Sequence, residues 1–542
     1  MMKTEFYQIT DPAACPAAIE RVASLLRQGE VAAIPTETVY GLAGSAFSAD
    51  AVKKIFEAKG RPQDNPLIVH ISDLEMLPTV AGRIPEDAYK LAKAFWPGPL
   101  TVILPKKDTV PAVVSAGLDT VAVRFPSHPV AAAIIRAAGL PLAAPSANLS
   151  GFPSPTEAQH VIDDLTGRVA AIVDGGPCGF GIESTVVTLA GETPRLLRPG
   201  VITREQLEEV LGKTVEIDPA VLSPLQDGQA AASPGMKYKH YAPNAKLTVI
   251  KGGLTAFLTY VNAHPDDADH VLCFEEEAPV MPLPCVTMGR RADPLTQTRR
   301  LFDALRELDA DGAKRVFARA PEPVGIGLGV CNRLYRAAGF TFAEMPGVGR
   351  VIGVSGGSGS GKSTVCERLR DMGCVWIDTD AVAREIVQPG SPVLPRLQAA
   401  FGADILRPDG SLDRALLAQR AFADAETSKT LSAITHPAIV GIVKERMAPL
   451  LEAGKTVLID APLLFTSGLS HICDLTVKVT APEAERVRRI MQRDGISQEA
   501  ALRRIRAQAQ EDALSDAADL IIVNDDLAEL EGKAENILKV SK

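Results

Sequence analysis

The sequence predicts an α/β protein of more than one domain, on three observations. Its 542 residues are too many for one hydrophobic core. Short β-branched apolar runs alternate with helical patterns along most of its length. Arg350 to Thr364 read R-V-I-G-V-S-G-G-S-G-S-G-K-S-T, so Gly356, Gly361, Lys362 and Ser363 satisfy G-x-x-x-x-G-K-[ST] between an apolar run and a helical pattern from Thr364 to Leu369. A loop this rich in glycine can turn successive backbone N–H groups around a phosphate, with a helix N-terminus behind them. Lys362 is then expected to meet the β/γ-phosphates of ATP and Ser363 to hold Mg²⁺, with Gly359, Ser360, Gly361 and Thr364 as further nucleotide contacts. Residues 350–542 form one P-loop domain on this reading, and everything before it is something else.

Composition narrows the classes. Hydrophobic residues make up 46% and charged residues 23%, which is the balance of an ordinary globular chain. No apolar run approaches the ~20 residues of a membrane span, and Met1 to Thr10 lack a signal-peptide core, so no membrane partner and a cytoplasmic location are expected. Eight cysteines lie scattered without C-x-x-C pairs, which argues against a zinc site or a disulfide framework. The net charge of −9 divides into −5, −1 and −3 over residues 1–243, 244–346 and 347–542. No segment carries the basic excess of a protein that grips a phosphate backbone, so stable nucleic-acid binding is not expected.

Taken in order, residues 17–29 show helical apolar spacing (Ile19, Val22, Leu25, Leu26) closed by Gly29. The apolar run Val31 to Ile34 then leads into P-T-E-T-V-Y-G-L, a strand followed by a Thr/Gly turn. A helix is expected over Ala49 to Ala58. K-G-R-P-Q-D-N-P-L-I-V-H follows from Lys59 to His70, with two cations, an amide and a histidine around stiffening prolines. T-V-A-V-R-F-P places Arg124 at a strand end, A-A-P-S-A-N-L-S-G spans Ala143 to Gly151, and E-S-T-V-V and L-R-P-G add Ser184 and Arg198.

Together these motifs resemble the YrdC-like threonylcarbamoyl-adenylate synthases, over residues 10–212. The resemblance implies an open, twisted α/β sheet around a deep basic cavity. It also implies condensation of L-threonine, bicarbonate and ATP to threonylcarbamoyl-AMP and pyrophosphate, with the tRNA-modification machinery as downstream acceptor. Lys59 and Arg61 would be catalytic and would bind ATP with Asn65, Thr120, Ser146, Asn148, Ser154, Arg198 and Tyr241. Threonine would be held by Thr36, His70, Arg124, Ala144 and Ser184, with Arg124 suited to a two-pronged grip on its carboxylate.

Residues 213–245 turn to Gly, Pro and small residues before M-K-Y-K-H-Y-A-P, similar to the linker that folds over the nucleotide in the longer members of that family. Lys239 stands where the family pattern has arginine, and a lysine cannot make the planar contact. Residues 246–345 alternate short apolar runs (Leu247 to Ile250, His270 to Phe274) with one amphipathic helix, Gln297 to Leu308, and resemble the accessory α/β domain of the same synthases. Its expected role is to dock on the first domain and control the lid. M-P-G-V-G (Met345 to Gly349) is a short connection.

In the P-loop domain the next apolar run ends in Asp378 and Asp380. Carboxylates there sit where a phosphoryl acceptor binds, so Asp380 is the candidate general base, while Asp378 is equally a helix cap. Further landmarks are F-G-x-D-I-L, T-H-P, V-L-I-D-A-P-L-L-F and an arginine-rich helix, R-V-R-R-I-M-Q-R-D, whose Arg489 and Arg493 would cover the transferring phosphate. The set resembles dephospho-coenzyme A kinase. That implies a parallel sheet, MgATP as donor and the ribose 3′-hydroxyl of dephospho-CoA as acceptor, with Asp380 and Lys362 catalytic. Two alternatives stay open: a nucleic-acid-binding N-terminal half, and a kinase for another small hydroxyl substrate.

Overall fold

The computed structural model describes residues 2–191, 193–224, 240–343, 349–506, 508–524, 533, 537 and 538. They divide into two compact units. One comprises Met1–Ile250, Pro265–Ala278 and Leu283–Ala343, the other Lys251–His264, Pro279–Pro282 and Glu344–Lys542.

In the first unit a mixed sheet of eleven strands among the described residues runs in the order Glu5–Gln8, Ala171–Asp174, Ala32–Ile34, Gly41–Ser45, Leu142–Ala143, Ile68–His70, Thr120–Arg124, Leu100–Pro105, Thr185–Thr188, Arg195–Arg198 and Glu216–Ile217. Register gathers the site. His70 lies opposite Arg124 in a parallel pair, Arg124 opposite Thr101 in an antiparallel one, and Leu100 opposite Thr185. Four strands far apart in sequence therefore end together at one place.

The helix Pro16–Arg27 starts on a proline, which costs nothing where the N–H has no helical partner, and buries Ile19, Val22, Leu25 and Leu26. Its stripe packs in one core with Val130, Ile134 and Ile135 of the helix Pro129–Ala138. The helix Ala49–Lys59 is capped by Ser48, whose Oγ accepts from Ala51 N at 3.2 Å. It stops at Gly60 with φ +61°, a left-handed turn that glycine makes without strain and that releases the chain into K-G-R-P.

A second, four-stranded parallel sheet follows in this unit, ordered Lys246–Ile250, Arg315–Arg319, His270–Cys273, Cys285–Thr287. The stretch expected to hold one helix holds three: Leu254–Ala263, Pro294–Ala310 and Gly327–Ala337. The first is short, follows a glycine pair and is apolar almost all round, so it lacks the apolar-versus-polar striping that announces a helix; the last has apolar residues at helical spacing (Leu328, Cys331, Leu334, Tyr335) among Gly325, Gly327 and Gly329.

The second unit is built on a five-stranded parallel sheet, Val375–Asp378, Thr456–Asp460, Arg350–Ser355, Leu475–Thr480, Leu520–Val523, as the P-loop reading predicts. The strand that feeds the glycine loop lies at its centre. The helix Leu254–Ala263 belongs to this unit. Asp474 accepts from Val351 N at 2.7 Å and from Thr255 N at 2.8 Å, joining the first turn of that helix to the start of the central strand. T-H-P lies inside a 28-residue helix, Ala425–Glu452, with Pro437 and Pro449 within it. No helix among the described residues is long and apolar enough to cross a membrane.

Two candidate active sites

At the gathered strand ends of the first unit lies a cavity of about 50 Å³ lined by Thr36, Tyr40, Arg61, His70, Arg124, Ala144, Ser146, Glu183, Arg198, His240 and Tyr241 among others. A nucleotide-sized ligand needs roughly 300–1,000 Å³. His240 and Tyr241, both buried, are among the residues that wall the cavity in. Tyr238 and Lys239 of the same linker lie outside the described residues.

The walls are cationic and short of partners. Burial pushes the Arg61 and Arg198 guanidiniums down to about 10, which leaves both charged at neutral pH. Arg198 donates from Nε to Ser184 O at 3.0 Å and from Nη2 to Ser184 Oγ at 3.1 Å, and that hydroxyl lies 2.7 Å from Thr101 Oγ1. Arg124 pairs with Glu37 at 2.7 Å. Buried Arg61 Nε, Arg124 Nε, Asn65 Oδ1 and His240 Nε2 have no hydrogen-bond partner among the described residues. Orphaned buried polar atoms of this kind are costly unless something fills the cavity between them. Burial, reinforced by Arg124, pushes the His70 imidazole down to about 3, so it is neutral there.

Of the residues named from the sequence, Thr36, Arg61, His70, Arg124, Ala144, Ser146, Arg198 and Tyr241 line this cavity. Lys59, Asn148, Ser154 and Ser184 stand behind it. Lys59 Nζ donates to Ser146 O and, at 2.6 Å, to Asn148 O. Burial and the neighbouring Arg61 push its ammonium well below the ordinary lysine value. Asn148 Oδ1 accepts from Ser146 Oγ at 2.5 Å, and Ser154 Oγ donates to Glu183 Oε1 at 2.5 Å. Asn65 is buried beside Pro66, a lining residue. Thr120 begins the strand that Arg124 ends, about 13 Å away along it. Glu37, Glu183 and Arg333 were not named from the sequence. The two glutamates stood inside quoted motifs, P-T-E-T and E-S-T, and buried carboxylates between arginines were the signal to follow.

In the second unit a cavity of about 660 Å³, large enough for a nucleotide, opens over the glycine loop. Gly359, Gly361, Lys362, Ser363, Thr364, Asp380, Arg489 and Arg493 line it, joined by His436 of T-H-P, Arg504 and Gln508. Ser360 is buried beneath the loop, where its backbone carbonyl accepts from Asn524 Nδ2 at 3.0 Å. The helix Lys362–Asp371 begins at Gly361 without a side-chain cap on that residue, and its Lys362 amide donates to Ser360 Oγ at 3.3 Å within the loop. The loop is held from outside, since Ser358 N donates to Gln508 Oε1 at 2.8 Å and Arg486 Nε to Ser358 O at 3.0 Å.

Lys362 Nζ forms an ion pair with Asp460, at the end of the adjacent strand. Burial pushes the Asp460 carboxyl up against the opposing pull of Lys362. Asp460 was another residue passed over in the sequence, where it stands inside V-L-I-D-A-P. Asp378 accepts from Asp380 N at 2.8 Å and caps the helix Thr379–Glu385, leaving Asp380 to face the cavity. Among the described residues no group of three or more His, Cys, Asp or Glu could hold a metal ion. Ser363, Asp380 and Asp460 do offer oxygens of the hard kind Mg²⁺ takes together with phosphate.

A basic cavity at converging strand ends with no P-loop, and a P-loop over a separate parallel sheet, define a chain of two ATP-using enzymes. Residues 24–200 match the family described as "Telomere recombination", which groups Sua5, YciO and YrdC; residues 202–339 match "Threonylcarbamoyl-AMP synthase, C-terminal domain"; and residues 350–529 match "Dephospho-CoA kinase". The chain belongs to the threonylcarbamoyl-AMP synthase family in its first part and to the dephospho-CoA kinase family in its last. It is 49% identical over 345 residues to the threonylcarbamoyl-AMP synthase of Bacillus subtilis, covering 62% of this chain and 99% of that one. It is 48% identical over 165 residues to the dephospho-CoA kinase of Moorella thermoacetica, covering 30% of this chain and 78% of that one. Among solved structures, Sua5 of Pyrococcus abyssi complexed with L-threonine superimposes with a TM-score of 0.57 at 41% identity, covering 62% of this chain and 98% of the other.

Proposed function

We propose that this chain carries two activities. The first joins L-threonine, bicarbonate and ATP into threonylcarbamoyl-AMP with release of pyrophosphate, for tRNA threonylcarbamoyladenosine. The second moves the γ-phosphoryl group of ATP to the 3′-hydroxyl of dephospho-CoA. The observation that carries this reading is that each matched family brings its own site, one in each compact unit.

In the synthase, Arg124 takes the threonine carboxylate, with Thr36, Ala144 and Ser184 around the rest of the amino acid. His70, neutral there, can accept from or donate to it without adding charge. Arg61 and Arg198 face the phosphates, where developing charge on the leaving pyrophosphate is greatest. Lys59 and Asn148 hold the Ser146 segment in shape. The threonine amine attacks the bicarbonate carbon and water leaves, and an oxygen of the resulting carbamate then attacks the α-phosphate as pyrophosphate leaves. Holding the reactants in line supplies most of the acceleration. Tyr241 and His240 close over the adenylate and keep water from it.

In the kinase the glycine loop cradles the ATP phosphates, and Lys362, released from Asp460, follows the γ-phosphate. Ser363 with Asp460 would hold Mg²⁺, which when bound neutralises charge on the β- and γ-oxygens. Asp380 accepts the proton of the 3′-hydroxyl as its oxygen bonds to phosphorus and ADP departs. Arg489 and Arg493 cover the transferred group.

Product analysis by mass spectrometry with purified protein, ATP, threonine, bicarbonate and dephospho-CoA tests both activities. Threonylcarbamoyl-AMP and coenzyme A are expected together. Lys362→Ala should abolish coenzyme A formation and leave threonine-dependent pyrophosphate release intact; loss of both in a folded variant would sink the assignment of two separate sites.

A further inference from the structure

The helix Gly327–Ala337 of the accessory domain is buried at every residue. It lies against the synthase site so closely that a Cβ on Gly329 would come within 3.0 Å of Ile182 and 3.4 Å of the Gly200 backbone. Its polar residues reach into the first domain. Asn332 Nδ2 donates to Val221 O at 2.6 Å and Arg336 Nη2 to Ala220 O at 2.7 Å. Arg333, with no exposed surface, donates from Nε to Glu183 Oε2 at 2.7 Å, from Nη2 to Glu183 O at 3.1 Å and from Nη1 to Pro199 O at 2.6 Å.

Glu183 lines the cavity; Arg333 does not. A fully buried carboxylate is an unwelcome neighbour for a polyphosphate unless its charge is matched nearby. Arg198 also favours the charged form of Glu183, after Arg333, but the hydrogen bonds of Arg198 and Lys59 go elsewhere. Arg198 is hydrogen-bonded to Ser184, and Lys59 to Ser146 and Asn148. Arg61 donates from Nη2 to Asn65 O at 3.5 Å and Pro66 O at 3.4 Å, and His240 and Tyr241, which line the same cavity, are neutral. Glu183 in turn receives the Ser154 hydroxyl, so Arg333, Glu183 and Ser154 form one chain of contacts from the accessory domain into the cavity.

We propose that Arg333 is a positioning residue of the synthase: the accessory domain supplies through it the counter-charge that lets Glu183 stand in the nucleotide cavity and hold Ser154. This rests on the cavity being the adenylation site. Arg333 touches no reacting atom. Its guanidinium also lies 5.9 Å from the centre of the Tyr241 ring, so the same cation backs the closing tyrosine.

The test is a double-mutant cycle in the full chain, read as KM for ATP in threonine-dependent pyrophosphate release. Arg333→Met should raise KM for ATP by at least about tenfold, because a buried carboxylate then faces the phosphates unpaired. In a Glu183→Gln background the same change should cost less than about threefold. The Arg333→Met defect should also shrink as pH falls and Glu183 takes up a proton, an effect that lost packing does not produce. The same cycle read as melting temperature needs no turnover, and Arg333→Gln replaces Arg333→Met if the latter does not fold. Coenzyme A formation by the same samples controls for the amount of intact protein. Equal penalties in both backgrounds, or a defect indifferent to pH, would overturn the proposal. Wild-type protein that releases no pyrophosphate with threonine would overturn the reading of the site instead.

Discussion

Asp380 and Asp378 stand two residues apart in one sequence motif and do different work. Asp378 spends an oxygen on the amide of Asp380 and so fixes the turn, while Asp380 faces the cavity. Asp380→Asn keeps shape and hydrogen-bonding reach but loses the proton-accepting charge. Turnover of dephospho-CoA should fall by about 10²–10⁴-fold, with ATP affinity nearly unchanged, as a stopped-time assay and nucleotide titration would show. Normal turnover would move the base elsewhere. His70 carries a second prediction. Its folded pKa of about 3 lies below the ~6.5 of an unfolded histidine, so below pH 6.5 the unfolded chain binds the extra proton. The stability of neutral His70 is complete above about pH 6.5 and is lost as pH falls toward 3, with a slope of up to about 1.4 kcal/mol per pH unit. Melting curves of the first unit between pH 7.5 and 5 should shift downward, and less steeply in His70→Asn. At this scale the sequence disclosed residues whose chemistry stands in a motif, such as Arg124 and Lys362. It concealed the pairing of Glu183 with Arg333, because a buried ion pair of 150 residues' separation leaves no local pattern.

The glycine loop shows how an element is fixed by its surroundings. Gly361 has φ +88°, and a Cβ on it would overlap the Asn524 amide; one on Gly359, at φ +78°, would approach the Arg486 carbonyl to 2.6 Å. Gly361→Ala should therefore abolish coenzyme A formation through backbone strain and through Asn524, leaving the melting of the first unit unaltered. Retained kinase activity would mean the loop has slack that its packing does not suggest. Strands with β-branched runs and helices with a single apolar stripe were legible, as for Ala49 to Ala58, which the structure extends to Lys59. The helix Ala425–Glu452 was not, because Pro437 and Pro449 read as helix breakers and only the packing of Val443, Met447 and Leu451 in the core overrides them.

On the scale of the whole chain, motif order in the sequence announced the two enzymes, and the P-loop marked where the second begins. What it did not announce is that the compact units are not contiguous in sequence. Residues 251–264 and 279–282 lie between strands of the accessory sheet and yet pack in the second unit, where Val280 joins the core around Val351 and Val457. No periodicity in a ten-residue helix states which core it will join.

Asp474 makes that arrangement matter to anyone who would separate the two enzymes. The stretch bounded by family resemblance, residues 350–529, is smaller than the unit its residues pack in. A gene divided at codon 349 would leave on the far side of the cut the helix whose Thr255 amide fills half of the Asp474 carboxylate, at the root of the strand that carries the nucleotide loop. The orphaned oxygen would turn to water, and the strand would keep one anchor where it had a brace. The join between the two enzymes is therefore a splice, in which part of the accessory domain's sequence belongs to the second compact unit, and a clean division of the gene would not be a clean division of the protein.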